Sequence, residues 1–95
     1  MGRTVGFWSQ AVSDEDKRLE EYDLVALEAS AELRRARRFH APMRGTHEGY
    51  AVILEELDEL WDEVKKKHPD QTRLREEAIQ IAAMALAFAE EVAHP

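Results

Sequence analysis

Tyr50, Ile53, Leu54, Leu57, Leu60, Trp61 and Val64 recur at i, i+3, i+4, i+7, i+10, i+11 and i+14, the spacing of one face of an α-helix. The run His40-Ala41-Pro42-Met43-Arg44-Gly45 before it predicts a loop, and Thr46 stands where a helix cap belongs. Lys65-Lys66-Lys67 suits the negative end of the helix dipole, and His68-Pro69-Asp70 ends the segment. Upstream, Leu19, Tyr22, Val25 or Ala26, Ala29, Leu33 and Ala36 predict a helix over about residues 14–39. Ser13 is its expected N-cap, Asp14-Glu15-Asp16 its acidic first turn, and Arg34, Arg35, Arg37 and Arg38 its basic end. Residues 1–12 lack sustained periodicity and are expected to form a flexible or docking arm, with Phe7 and Trp8 as docking aromatics. Residues 13–95 then form one helical domain.

The third predicted helix starts around Asp70 to Thr72 and runs to about Ala93. Leu74, Ala78, Ile81, Ala85, Phe88 and Val92 share one face, while Ile79, Ala83 and Leu86 fall opposite. A helix apolar on both sides and rich in alanine is built to lie between other helices. Three helices alone would leave it uncovered. The pattern therefore predicts an all-α bundle of three principal helices, completed by oligomerisation as a homodimer or homotetramer through the second and third helices.

At 95 residues the chain is long enough for one small domain, which buries only about 60–65% of its unfolded surface, so oligomerisation would also help stability. Its apolar runs are short and interrupted by charge, arguing against a membrane partner. A formal charge of −7 argues against a broad nucleic-acid surface, which normally neutralises phosphates with Lys and Arg. An acidic site can nevertheless hold a polyphosphate through Mg²⁺. The chain has no cysteine, which leaves no thiolate chemistry and fits a reducing cytoplasm. Met1-Gly2-Arg3 leads into no long apolar stretch, so no signal peptide is expected.

Candidate chemistry lies in two acidic clusters, Glu55-Glu56-Leu57-Asp58-Glu59 and Glu76-Glu77-Ala78-Ile79-Gln80. Residues three apart occupy neighbouring turns on one side of a helix, so Glu56 pairs with Glu59 and Glu77 with Gln80. Glu77 opens the apolar segment Ala78 to Ala89, where a carboxylate needs a partner because an isolated buried charge is costly. Packing the second and third helices side by side would gather Glu56, Glu59, Glu77 and Gln80. Three converging carboxylates need a cation, and an all-oxygen set suits Mg²⁺ or Mn²⁺ better than zinc. Acids at this spacing also simply solvate helix surfaces, the role expected for Asp58, Asp62, Glu90 and Glu91.

The runs His47 to Trp61 and Glu76 to Leu86 resemble MazG-like proteins, the all-α nucleoside triphosphate pyrophosphohydrolases, especially short versions from phages and bacteria. That family's pattern is EExxE on one helix and ExxD on the next. Glu55, Glu56, Glu59 and Glu77 match it, Gln80 stands where the family has Asp, and the resemblance covers about residues 44–92. It implies cleavage of a (d)NTP between the α and β phosphates to a (d)NMP and pyrophosphate, with Mg²⁺ held by Glu56, Glu59, Glu77 and Gln80. A carboxylate not fully committed to the metal, Glu55 or Glu56, could then accept the proton of the attacking water. A neutral amide at position 80 supplies no charge, so weaker metal binding, a different metal count or no catalysis is expected from that departure.

Other candidates carry two readings each. Trp61 could stack on a base or fill the core. Arg44 to His47, at a helix start, could receive an anion, or His47 could pack on the capped loop. Lys65 and its neighbours could hold pyrophosphate or complement the dipole. The cluster Arg34, Arg35, Arg37 and Arg38 could meet an acidic partner or phosphate, or form a solvated helix end. The sequence thus supports a Mg²⁺-dependent pyrophosphohydrolase first. A catalytically weakened MazG-like nucleotide-binding or protein-interaction module comes second, and a purely structural helical oligomer third.

Overall fold

A computed structural model describes residues 5–95, with side chains described from residue 14 onward. Three helices account for its regular structure: α1 (Val5–Ala36), α2 (Thr46–Val64) and α3 (Gln71–Glu91). No strand occurs among the described residues, and none of their helices is long and apolar enough to cross a membrane.

α1 begins well before the predicted start. No Gly or Pro lies between Gly6 and Pro42, so nothing interrupts helical hydrogen bonding, and the chain passes through Ser13 rather than using it as a cap. Residues 5–12, read from sequence as an arm, belong to this helix. The proposed docking roles of Phe7 and Trp8 lie outside the described side chains. At its other end α1 tightens into i→i−3 bonds, Arg38 N–H to Arg35 C=O and Phe39 N–H to Ala36 C=O, both at 3.1 Å, before the chain turns toward Pro42.

α2 starts one residue from the expected cap. Gly45 is the N-cap, without a side-chain capping bond, and Thr46 is already helical. Glu48 does the work instead, because its carboxylate reaches back to the Arg44 N–H at 2.9 Å and to the Arg44 guanidinium at 2.9 Å. α3 is capped by Asp70, whose Oδ1 accepts from the N–H groups of Thr72 at 2.9 Å and Arg73 at 3.4 Å.

α3 lies between the other two helices, and α1 and α2 do not pack on each other. The third helix is therefore sandwiched as expected, but by its own chain. It runs antiparallel to α2, since buried Glu63 accepts from the Asp70 N–H at 2.9 Å while Gly49 meets Phe88 near the opposite ends. It runs parallel to α1, since Glu28 pairs with Arg75 and Arg37 with Glu91. The result is an open groove, with α3 as floor and α1 and α2 as walls.

The core is small and lies toward the C-terminal end of α3. Met43, Ala83, Met84 and Ala87 are buried, with Leu33, Val52, Ile53 and Phe88 packed around them. Gly49 permits the close approach of α2, because a Cβ there would fall 2.5 Å from Phe88 Cδ2. This contact also rotates α2. The side turned to α3 carries Gly49, Ile53, Glu56, Leu60 and Glu63, all buried or half-buried. Tyr50, Leu54, Leu57, Trp61 and Val64, the middle of the predicted apolar stripe, remain exposed. Trp61 is 58% exposed, so it is not a core residue of this chain.

Glu91 differs from its reading as a solvated acid. Its carboxylate accepts from Arg37 at 2.6 and 2.7 Å and from the Met43 N–H at 2.9 Å, joining the end of α1, the α1–α2 loop and the end of α3. Arg37 is correspondingly part of a clamp rather than of a solvated helix end. Asp58 and Glu90 are exposed, and exposed Asp62 pairs with Lys65 at 3.1 Å.

Candidate metal centre

Glu56 and Glu59 sit one turn apart on α2, and the antiparallel packing brings Glu77 of α3 opposite them. One carboxylate oxygen from each lies within 4.8 Å of the other two. The three grade from exposed Glu59 through half-buried Glu56 to buried Glu77. This geometry is that of a site that could hold a metal ion.

Glu77 is the most constrained member. Its side chain is 6% exposed, and Oε1 accepts from Arg73 Nη2 at 2.9 Å, one turn back on α3. Oε2 is fully buried without a hydrogen-bond donor. Its neighbours across the gap are carboxylates, acceptors like itself. A shared proton, a bound water or a cation satisfies such a group.

The charges respond accordingly. Burial first, then the negative charges of Glu59 and Glu77, push the Glu56 carboxyl up from 4.5 to about 7. Burial also raises Glu77, with Glu59 adding to the effect and Arg73 opposing it. A carboxyl with a raised folded-state pKa binds its proton more tightly when folded. Metal-free stability is therefore expected to fall as pH rises from about 4.5 to about 7, then level off. A cation must displace that proton, so divalent-cation affinity is expected to climb about tenfold per pH unit below neutrality and to level above about pH 7. Calorimetric titration across this range tests the prediction, and a flat profile would count against the site.

Beside the triad lies a cleft of about 410 Å³, formed where the groove is closed by the α1–α2 loop. Glu55 and Glu56 line it from α2, Gln80 and Met84 from α3, and Glu32, Arg35, Phe39 and His40 from α1 and the loop. Glu56 thus belongs to both cleft and triad. Gln80 Nε2 donates to Glu32 Oε2 at 2.7 Å, and Glu32 in turn accepts from Arg35 Nε at 3.1 Å. The Arg35 guanidinium, followed by Gln80, holds the Glu32 carboxyl below its ordinary value. Gln80 is left with its carbonyl oxygen as the group available to a cation.

The three candidate substrate contacts fall elsewhere. Lys65 pairs with Asp62 at the far end of α2, His47 is exposed with Nδ1 3.5 Å from Thr46 Oγ1, and Trp61 lies on the outer side of α2. None of them lines the cleft. The sequence gives little sign of Glu32 and Phe39 at the cleft because α1 carries no part of the acidic pattern, while Arg35 comes from the basic cluster at the end of α1 that could meet phosphate. The available signal was weak, the Glu32 to Arg35 spacing of three beside a basic helix end. No protein-family model matches the chain, and no curated protein or solved structure matches it either.

Proposed function

We propose that this chain is a Mg²⁺-dependent nucleoside triphosphate pyrophosphohydrolase of the MazG-like type, cleaving a (d)NTP to a (d)NMP and pyrophosphate. The observation that carries the reading is the gathering of buried Glu77, one of whose oxygens has no hydrogen-bond donor, with Glu56 and Glu59, the triad touching a cleft through Glu56. The donor set supports Mg²⁺ over zinc because it is all oxygen, with Mn²⁺ as a possible substitute. Glu56, Glu59 and Glu77 hold the ion, and the Gln80 carbonyl is the fourth candidate ligand. When bound, the ion supplies charge neutralisation for a polyphosphate and acidifies a coordinated water.

The chain's own groups do the rest. Glu55 is exposed and lines the cleft outside the triad, which leaves it able to take the proton from the attacking water. Arg35 offers a cation to phosphate from the opposite wall, and Phe39, Val52 and Met84 offer an apolar surface to a base. Water adds at phosphorus, the α–β anhydride bond breaks, and pyrophosphate leaves with the bonding electron pair. The test is pyrophosphate release from a panel of NTPs and dNTPs with Mg²⁺ and Mn²⁺. Metal-dependent release supports the reading, whereas a folded protein that neither releases pyrophosphate nor binds any nucleotide overturns it.

A second reading rests on Gln80. Its amide is engaged with Glu32 and it brings no charge, which favours a weakened nucleotide-binding or interaction module. Metal-dependent nucleotide binding without hydrolysis would select this reading. Gln80→Asp is expected to tighten Mg²⁺ binding by about tenfold or more, if position 80 is a ligand, because a fourth carboxylate adds a full charge. Unchanged affinity would remove residue 80 from the ligand set.

A further inference from the structure

We propose that Glu32 of α1 is a positioning residue for the metal centre, holding the Gln80 amide so that its carbonyl oxygen, and not its NH₂ group, is offered to the cation. Gln80 stands one turn after Glu77 on α3 and lines the cleft together with Glu56. The two ends of its amide have opposite uses. The carbonyl oxygen can coordinate a cation, whereas the NH₂ group can only donate hydrogen bonds. Left free beside an acidic triad, the NH₂ end would turn to a carboxylate and compete with the ion for it.

Glu32 removes that choice. Its Oε2 accepts from Gln80 Nε2 at 2.7 Å, a contact between residues 48 positions apart. An ionised carboxylate has no hydrogen to give, so the end of the amide that meets it is the NH₂ group. Glu32 is held in its turn by Arg35, which donates from Nε to Oε1 at 3.1 Å and from Nη2 to Oε2. Such a two-pronged pair fixes the plane of a carboxylate as well as its charge. Support therefore runs from Arg35 through Glu32 to Gln80, the way an outer shell orients a ligand that touches metal.

The bridge is not what fastens α1 to α3. Glu28 with Arg75 joins the same two helices one turn earlier, and Arg37 with Glu91 joins them beyond it. Loss of the Glu32 carboxylate is therefore expected to free the amide without parting the helices. This role rests on the metal centre of the proposed function and not on its nucleotide chemistry.

Calorimetric titration of the full chain with Mn²⁺ at pH 8 tests the role, using Glu32→Met and Gln80→Met alone and combined. Methionine keeps the length of each side chain and suits a helix, but carries neither acid nor amide. Glu32→Met is expected to weaken Mn²⁺ binding about tenfold or more. In the Gln80→Met background the same change should cost no more than about twofold, because no amide remains to be turned. Equal losses in both backgrounds would mean that Glu32 acts through its charge alone, and that result, like no loss in either, overturns the proposal. A wild-type chain that binds no Mn²⁺ overturns the metal centre along with it. A second measurement uses the wild-type chain, which has three glutamines and no asparagine and so shows three side-chain NH₂ pairs by NMR. The Gln80 pair is expected to exchange with solvent more slowly than that of exposed Gln71, with or without Mg²⁺, while saturating Mg²⁺ moves the Gln80 carbonyl carbon. A Gln80 pair that exchanges as fast as that of Gln71, or a carbonyl carbon that Mg²⁺ leaves unmoved, overturns the orientation.

Discussion

Glu77→Gln is expected to reduce the proposed metal-dependent pyrophosphate release by about 100-fold or more while leaving the chain folded. The substitution keeps the size of the side chain and an acceptor for Arg73, whose guanidinium lies 2.9 Å from Oε1. It removes the buried negative charge and replaces donorless Oε2 with a group that is able to donate toward the neighbouring carboxylates. The metal-free protein should therefore melt at the same temperature or higher at pH 8, because repulsion among three acids is relieved. The shift produced by Mg²⁺ or Mn²⁺ should shrink or vanish. Glu56→Gln is expected to lose activity similarly, and the pH dependence of metal affinity centred near 7 should flatten with it. Melting curves with and without metal separate this outcome from simple unfolding. Wild-type release and an undiminished metal shift in both variants would falsify the triad as a metal centre.

The largest stability effect is expected at Glu91, far from the chemistry. Glu91→Ala leaves the Arg37 guanidinium without its two bonds at 2.6 and 2.7 Å and strips the Met43 N–H of its acceptor. Breaking a fully buried pair costs about 3–5 kcal/mol. Here the side chains of Arg37 and Glu91 remain 20 and 16% exposed, so solvent screening lowers the expected cost to about 2–3 kcal/mol. For a domain of this length that corresponds to roughly 10–20 °C in thermal midpoint. Glu91→Gln retains an acceptor and should cost about half as much. Arg37 is the main cause holding the Glu91 carboxyl below its ordinary value, so the folded-state pKa lies under 4.5. The clamp's contribution is present above the unfolded value and is lost as pH falls through the folded one. The difference between wild type and Glu91→Ala should therefore narrow below about pH 4. A variant that melts with the wild type at pH 7 would show that the three segments are joined by other contacts.

Helices, and the spacing of chemistry along each helix, were legible in the chain. Proline and glycine at Pro42, Gly45 and Pro69 marked the two breaks, and the three-residue spacings of Glu56 with Glu59 and of Glu77 with Gln80 followed from helical geometry alone. The convergence of Glu56, Glu59 and Glu77 was also anticipated, because antiparallel helices joined by a short turn bring their facing acids together. The start of α1 lies earlier than the periodicity predicts. Missing periodicity suggested an arm, whereas an uninterrupted backbone continued the helix to Val5.

What tertiary structure alone decided is the rotation of each helix about its axis. Hydrophobic periodicity says that α2 has an apolar side, but Gly49 against Phe88 turns the adjoining flank inward and leaves Leu54, Leu57 and Trp61 outside. The same choice carries Glu56 and Glu77 inward together and gives Glu77 an oxygen without a donor. It decided, too, that Glu91 is a clamp and that Glu32 and Arg35 reach the cleft. Helix formation depends on neighbours three and four residues apart, which a sequence displays directly. Orientation about the axis depends on contacts between residues such as Arg37 and Glu91, 54 positions apart, and these exist only once the helices have packed.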